Sequence, residues 1–392
     1  MGQHRSRHAG DETQRMRTVA LAVIVPTGLI TLLALIWLWP PSSNVADQSG
    51  RAAEHQGVVT EVTKQPCPEN PTGQEPLPGG ATMIVNGCGT AQVKVSDGPD
   101  QGLEVVVNLP NGPGAPTVED GDEVILVMTE NNGGGQYDIV DHQRTKGLWL
   151  LAIAFAGAVL AFGRWRGLSA LVGLTATFAL LLLFVVPAIL AGESPLLVAI
   201  VGSSAIMLTV LYLTHGLTFS TSVAVLGTLG SLVLTGVLAE VAVTGMHLTG
   251  FADESSTFLA TTHDVNLQGL LFAGIVIGTL GVLDDVTITQ AATVTELARA
   301  NPGYSMRELY RAGTRVGRAH IASVINTIIL AYAGSSLPLL ILIAANNTSI
   351  GNVATTQVVA QEIVRSVVAT LGLIAAVPIT TALAAATARR TV

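Results

Sequence analysis

Gly278-Thr279-Leu280-Gly281-Val282-Leu283-Asp284-Asp285-Val286-Thr287-Ile288-Thr289-Gln290 follows on from an apolar run, Leu270 to Val282, that reads as the interior of a membrane-spanning helix. A carboxylate near the end of such a run is costly unless it faces protein, water or a counter-ion. Cheaper side chains would serve a mere anchor, so two in succession imply use. On a helix Asp284 shares a face with Thr287, and Asp285 with Thr289, at spacings of three and four. Gln290 adds an amide oxygen. Carboxylates backed by hydroxyl and amide oxygens suit a hard cation or a proton relay. Two adjacent acids in a low dielectric do not both stay ionised unless a cation sits beside them, and no cation follows until Arg299. The bland alternative is a hydrated, idle pair at the cytoplasmic interface.

The rest of the chain keeps that character. Charged residues make up 12% and hydrophobic residues 49% of the chain, about half the charge of an ordinary soluble domain. Apolar windows long enough to cross a bilayer lie at 18–39, 147–163, 168–189, 195–214, 219–243, 267–293, 320–344 and 361–386. Arg5, Arg7, Arg15 and Arg17 precede the first window, which makes a cleaved signal peptide the rival reading. Its length and the lack of a small-x-small site directly after it favour a signal anchor. With the tail 1–17 inside, Arg164, Arg166, Arg299, Arg307, Arg311, Arg315 and Arg318 fall on the same side. So do Arg389 and Arg390 in the tail 387–392, in keeping with the positive-inside rule. The expected fold class is a mainly α-helical integral membrane protein of about eight transmembrane helices, seven of them in 147–386, with both termini cytoplasmic.

Residues 40–146 read differently. Gln56 to Thr63, Ala91 to Ser96, Leu103 to Leu109 and Glu123 to Thr129 alternate apolar and polar residues, as short strands do. Asn86-Gly87, Asp97-Gly98-Pro99, Asn111-Gly112-Pro113-Gly114 and Asp120-Gly121-Asp122 supply turns between them. A small closed or nearly closed β-barrel, for which an OB-like fold is one option, leaves no exposed strand edge. It is expected outside the membrane, inserted after the first helix. The two cysteines, Cys67 and Cys88, fall here and read as a disulfide. Closing a loop of about 20 residues adds roughly 3 kcal/mol in the chain-entropy model. Glu119, Asp120, Asp122 and Glu123 crowd one turn, which either attracts cations or is simply solvated. No basic face for nucleic acid appears, and no nucleophile-elbow or nucleotide-loop motif. No cofactor is expected.

Several features surround the paired acids. Asn301-Pro302-Gly303 breaks a helix, and Ser305-Met306-Arg307-Glu308 reads as a capping box restarting one. That places a basic cytoplasmic helix at 299–319, whose Arg307, Arg311, Arg315 and Arg318 form one face suited to anionic lipid headgroups. His320, Ser323, Asn326 and Thr327 recur at three and four residues and could face the aspartates, either as interhelical glue or as a lined pathway. Glu362 and Arg365, at i and i+3, can neutralise each other or serve as an outer gate. Gly269, Gly274, Gly278 and Gly281 line the aspartate helix, with Gly274 and Gly278 in small-xxx-small spacing for close approach.

Longer ordered matches carry a resemblance. Asn266-Leu267-Gln268-Gly269-Leu270-Leu271-Phe272-Ala273-Gly274 leads through Gly281 to Thr287 and on into Thr289-Gln290-Ala291-Ala292. Val316-Gly317-Arg318-x-His320-Ile321-Ala322-Ser323 and Asn326-Thr327-x-x-Leu330-Ala331-Tyr332-Ala333-Gly334-x-Ser336-Leu337-Pro338-Leu339-Leu340 follow. Glu362-Ile363-Val364-Arg365-Ser366 and Val377-Pro378-x-Thr380-Thr381 complete the set. Together they resemble the YibE/F family of polytopic bacterial membrane proteins, particularly its actinobacterial branch. The resemblance implies architecture and a bacterial cell-membrane location, but no settled biochemical activity. Where that pattern has an acid before His320, this chain has Ala319, which weakens any role for Arg318 or His320.

Three functions compete. One is a permease that couples Asp284 and Asp285 to protons or cations and moves an unidentified small molecule or ion. A second is an anchored scaffold or receptor whose outer β domain binds an envelope component. A membrane-embedded enzyme is the weakest, because the acids have no nucleophile or phosphate-binding partner in the sequence.

Overall fold

The computed structural model describes residues 22–40, 53–66, 86–112, 114–131, 134–251, 254–263, 265–345 and 350–388. The chain divides into two compact units: Asp47–Ala161, and Met1–Ala46 together with Phe162–Val392.

The smaller unit holds an antiparallel sheet of β1 (Glu54–Gln65), β2 (Cys88–Val95), β3 (Glu104–Asn108), β4 (Glu123–Asn131) and β5 (Gly134–His142). Their order is β3-β2-β1-β4-β5. Alternation builds its core: Ala91, Val93 and Val95 on β2 point inward with Val59, Val107, Val124, Leu126 and Ile139. The four strands expected from alternation coincide with β1 to β4. The fifth was not expected. β5 carries Gly134, Gly135, Asp138 and Asp141, residues that strands avoid, and it forms by pairing with β4 from Val124↔His142 to Asn131↔Gly134, with a bulge where the register shifts between Ile125 and Leu126. Tyr137 of β5 also donates to Asp100 Oδ2 at 2.6 Å, in the turn between β2 and β3. That bond, aided by burial, pushes its phenol up to about 12. Cys67 lies outside the described residues, and with it the expected Cys67–Cys88 pairing.

Asn86 ties the long β3–β4 connection to the sheet. Its Nδ2 donates to Pro110 O (2.6 Å) and Pro116 O (2.7 Å), while its Oδ1 accepts from Val118 N at 2.8 Å. Asn86→Ala leaves those buried groups unpaired at a cost of about 3 kcal/mol. It is expected to speed native-state proteolysis of this unit about a hundredfold, read as cleavage within 86–142 of the full-length protein.

The larger unit is helical. It contains α1 (Ala22–Trp37) and the end of α2 (Thr145–Leu180), which breaks at Arg164 (φ 50°, ψ −124°). A π-turn, Leu181–Val185, leads into α3 (Val186–Leu190). Then come α4 (Pro195–His215), α5 (Phe219–Gly245), α6 (Glu254–His263), α7 (Leu267–Ala300) and α8 (Met306–Ser335), and finally α9 (Leu337–Ala345), α10 (Ile350–Ala354) and α11 (Gln357–Ala388). Six helices among the described residues are long and apolar enough to cross a bilayer, against the eight spans expected. Two differences account for this. The spans 147–163 and 168–189 lie on either side of the Arg164 break in one 46-residue stretch, Thr145–Leu190. The first span, 18–39, is represented by the shorter Ala22–Trp37, with 18–21 outside the described residues.

α5, α7 and α11 pack most extensively on one another, with α4 and α8 against α7. Asn266 Oδ1 caps α7 by accepting from Gly269 N at 3.0 Å. The capping box forms as expected: Ser305 Oγ accepts from Glu308 N, and Glu308 Oε2 accepts from Ser305 N at 2.7 Å. Helix bounds nevertheless differ here. The basic stretch up to Arg318 is not a separate helix but the first half of α8, and the span expected at 320–344 breaks at Ser336, leaving α9 beyond. No proline interrupts 306–335, so nothing stops the helix between the capping box and Pro338.

α4 and α7 run side by side in the same direction. A Cβ on Gly269 would lie 3.2 Å from Pro195 Cδ, at their starts, and His215 at the far end of α4 shares pockets with Asp285 and Ile288. At 1.5 Å per residue the 21 residues of α4 measure about 30 Å, one hydrocarbon core. The 34-residue α7 therefore continues about 15 Å past α4. The first half of α8 folds back along that extension: Cβ atoms on Gly313 and Gly317 would each lie 2.7 Å from Val294 Cγ2 and Gln290 Oε1 respectively.

Candidate functional site

Asp284 and Asp285 line a cavity of about 550 Å³ together with Arg166, Thr214, His215 and Ile288. Asp284 is half-buried and Asp285 exposed toward it. α7 supplies the acids, the end of α4 supplies Thr214 and His215, and the stretch after the Arg164 break supplies Arg166. His215 Nδ1 lies 2.7 Å from Thr214 Oγ1, whose hydroxyl donates to Val210 O at 2.7 Å, which fixes the ring against its own helix. Asp284 Oδ1 accepts from Asp285 N at 2.8 Å. Among the described residues no ion pair within 4.0 Å joins either acid to Arg166 or His215. Two acids and two basic groups thus share one chamber without being paired.

The other residues expected along a pathway divide. Thr289 is exposed and lines an adjoining cavity of about 630 Å³ with His215, Thr293 and Glu296. Thr287 is fully buried and turned away, its Oγ1 lying 2.7 Å from Thr228 Oγ1 on α5 and donating to Asp284 O at 3.1 Å. Gln290 is also buried: its amide donates to Gly313 O (2.9 Å) and Thr381 Oγ1 (2.7 Å), knotting α7 to α8 and α11. These two hold helices together and do not line the chamber.

His320, Ser323, Asn326 and Thr327 do not face the aspartates. All four side chains are exposed, and α8 buries Leu309, Gly313, Gly317, Ile321 and Ile328 instead. The helix docks through the face whose glycines admit Gln290. Glu362 and Arg365 form the expected ion pair at 2.9 Å. Arg365 Nη2 would lie 3.9 Å from a Cβ on Gly274, so the pair sits about 15 Å along α7 from Asp284. Near it a separate cavity of about 280 Å³ is lined by Gly278, Thr279, Tyr332 and Ser335. The small-xxx-small expectation is corrected here as well. Gly274 meets only Arg365, Gly278 only the Tyr332 hydroxyl at 3.3 Å, and Gly281 nothing within 4 Å. The close helix approaches lie at Gly202, Gly227, Gly313, Gly317 and Gly372.

Arg166 and His215 escaped the sequence reading. One signal pointed to them: in the expected topology the 164–167 loop, the end of 195–214 and the aspartates all fall on the same side.

Six helices among the described residues long and apolar enough to cross a bilayer, with a charged chamber at the level where α4 ends, fit the class of polytopic helical membrane proteins. The family model for YibE/F-like proteins matches residues 151–390, and the chain belongs to that family. No curated protein and no solved structure matched it.

Proposed function

We propose that the protein is a proton-coupled permease of the cell membrane, with Asp284 and Asp285 as its proton-carrying site. The observation that carries this reading is the chamber itself, where both carboxylates face Arg166 and His215 with no ion pair among the described residues to neutralise them. Such groups in a membrane bundle are expensive and mark ion or proton pathways. The donor set favours a proton over a metal cation. Among the described residues no three His, Cys, Asp or Glu side chains converge on one point. The Thr287 hydroxyl points away, and Arg166 repels any resident cation. A proton needs only one acceptor and a neighbour to pass it to, and His215 is the residue suited to take it. In this reading both termini and the chamber face the cytoplasm, the β unit lies outside, and Cys67 and Cys88 close a disulfide there.

The test is infrared titration of the full-length protein in lipid nanodiscs. A carboxyl stretching band should titrate with pH, vanish in D284N/D285N, and keep its midpoint when Na⁺ replaces K⁺. A midpoint that moves with Na⁺ would make the coupling ion sodium. No band assignable to either aspartate would remove the proposal.

A second reading rests on the β unit. Its edge strands β3 and β5 also approach each other, and closure of the sheet between them would give the order 1-2-3-5-4-1 of an OB-like barrel. Barrels of that type bind oligosaccharides and oligonucleotides on their strand 2–3 face, which supports a receptor for an envelope component.

A further inference from the structure

We infer that the first half of α8 forms a binding site for the phosphates of an anionic phospholipid headgroup. Arg311, Arg315 and Arg318, at i, i+4 and i+7, line a groove of about 710 Å³ with Tyr304, Tyr310 and Thr314. Among the described residues none of the three arginines is in an ion pair. The one carboxylate in the groove, Glu308, is committed elsewhere: its Oε2 accepts from Ser305 N (2.7 Å) and Ser305 Oγ (2.8 Å) in the helix cap. Among the described residues the three planar guanidinium forks therefore have no acceptor, and phosphate oxygens match their paired N–H geometry.

Depth favours a lipid as the source of the phosphate. On the buried side of the same turns, Gly313 and Gly317 pack against Val294 and Gln290. That part of α7 lies one to three turns beyond Asp285, at and just past the end of the bilayer-length α4. From Arg311 to Arg318 the helix rises about 10 Å, comparable with one headgroup layer. Two tyrosines beside the arginines are the aromatic residues that favour that layer. Three arginines over such a length are more than one phosphodiester can engage, so a headgroup with two phosphates fits better than one with a single phosphate. The site goes beyond the proton chamber and stands whether or not that chamber carries protons.

Native mass spectrometry of the full-length protein, released from detergent after titration with defined lipids, tests it. Wild type should retain diphosphatidylglycerol most strongly, phosphatidylglycerol less, and phosphatidylcholine least. R311Q/R315Q/R318Q should weaken diphosphatidylglycerol retention about a hundredfold, and each single Arg→Gln about fivefold. The single variants decide the matter should the triple one fail to fold. R299Q removes a nearby charge that does not line the groove and is already paired with Glu296, and it should bind as wild type. Unchanged retention in the single and triple variants, or equal retention of phosphatidylcholine, overturns the site. Displacement of the lipid by equimolar inorganic phosphate also overturns it, because the groove would then serve a soluble phosphate.

Discussion

Replacing Asp284 and Asp285 together by asparagine should abolish proton movement while leaving a folded protein. Asparagine keeps the shape of aspartate and removes the titrating group. Neither acid is held in an ion pair among the described residues, so no partner is stranded by their loss beyond the cavity that Arg166 and His215 already share. The bond that Asp285 N donates to Asp284 Oδ1 can be made equally to the asparagine amide oxygen. Removing charge from a low-dielectric site relieves a desolvation cost, so thermal stability should stay level or rise. Groups that carry a proton in a transfer step usually contribute about 10²–10⁴-fold to its rate. Dye-reported proton flux into proteoliposomes, driven by an imposed potential, should fall by at least that lower figure. His215→Gln should slow flux and shift its pH profile, while Arg166→Gln should make the chamber more attractive to metal cations. Wild-type flux in the double variant would rule the chamber out as the pathway. Loss of function on deleting residues 45–140, with normal behaviour of the aspartate variant, would instead favour the receptor reading.

What the sequence made legible follows how local each signal is. The Ser305–Glu308 capping box could be read because both partners lie within one turn. β1 to β4 could be read because alternation records which side of a strand is buried. β5 could not, since Gly134, Gly135 and two aspartates blur the pattern and its stability comes from β4 and from Asp100 across the unit. The aspartates announced themselves by their cost in an apolar run. Their companions did not, because Arg166 and His215 lie over 60 residues away in sequence and look like ordinary span-end residues. The stripe from His320 to Thr327 shows why periodicity alone misleads. A helix with both a polar stripe and a glycine stripe can dock through either, and only the fit of Gln290 against Gly313 and Gly317 selects the second.

The same fit makes Gly317→Val and Gly372→Val the most damaging single substitutions expected in the helical unit. A Cβ on Gly317 would lie 2.5 Å from Val377 Cγ1 and 2.7 Å from Gln290 Oε1. Gln290 cannot swing aside without giving up its bonds to Gly313 O and Thr381 Oγ1, in a site that water does not reach. At Gly372 the added atom would run into Thr235, which is fully buried and already donates to Ser231 O at 2.8 Å. Overpacking costs about 1–3 kcal/mol, and an orphaned buried amide adds about as much again. Gly317→Val should therefore cost roughly 2–6 kcal/mol and Gly372→Val roughly 1–3 kcal/mol or more, enough to loosen α8 from α7 and α11, or α11 from α5, and leave little monodisperse protein on size exclusion. Gly281→Val is the control: nothing lies within 4 Å of its Cβ, so it should purify as wild type. A Gly317→Val protein with wild-type melting would mean that α8 does not seat on Gln290. The depth assigned to Arg311, Arg315 and Arg318 would fall with it, because that depth is measured through the same contact.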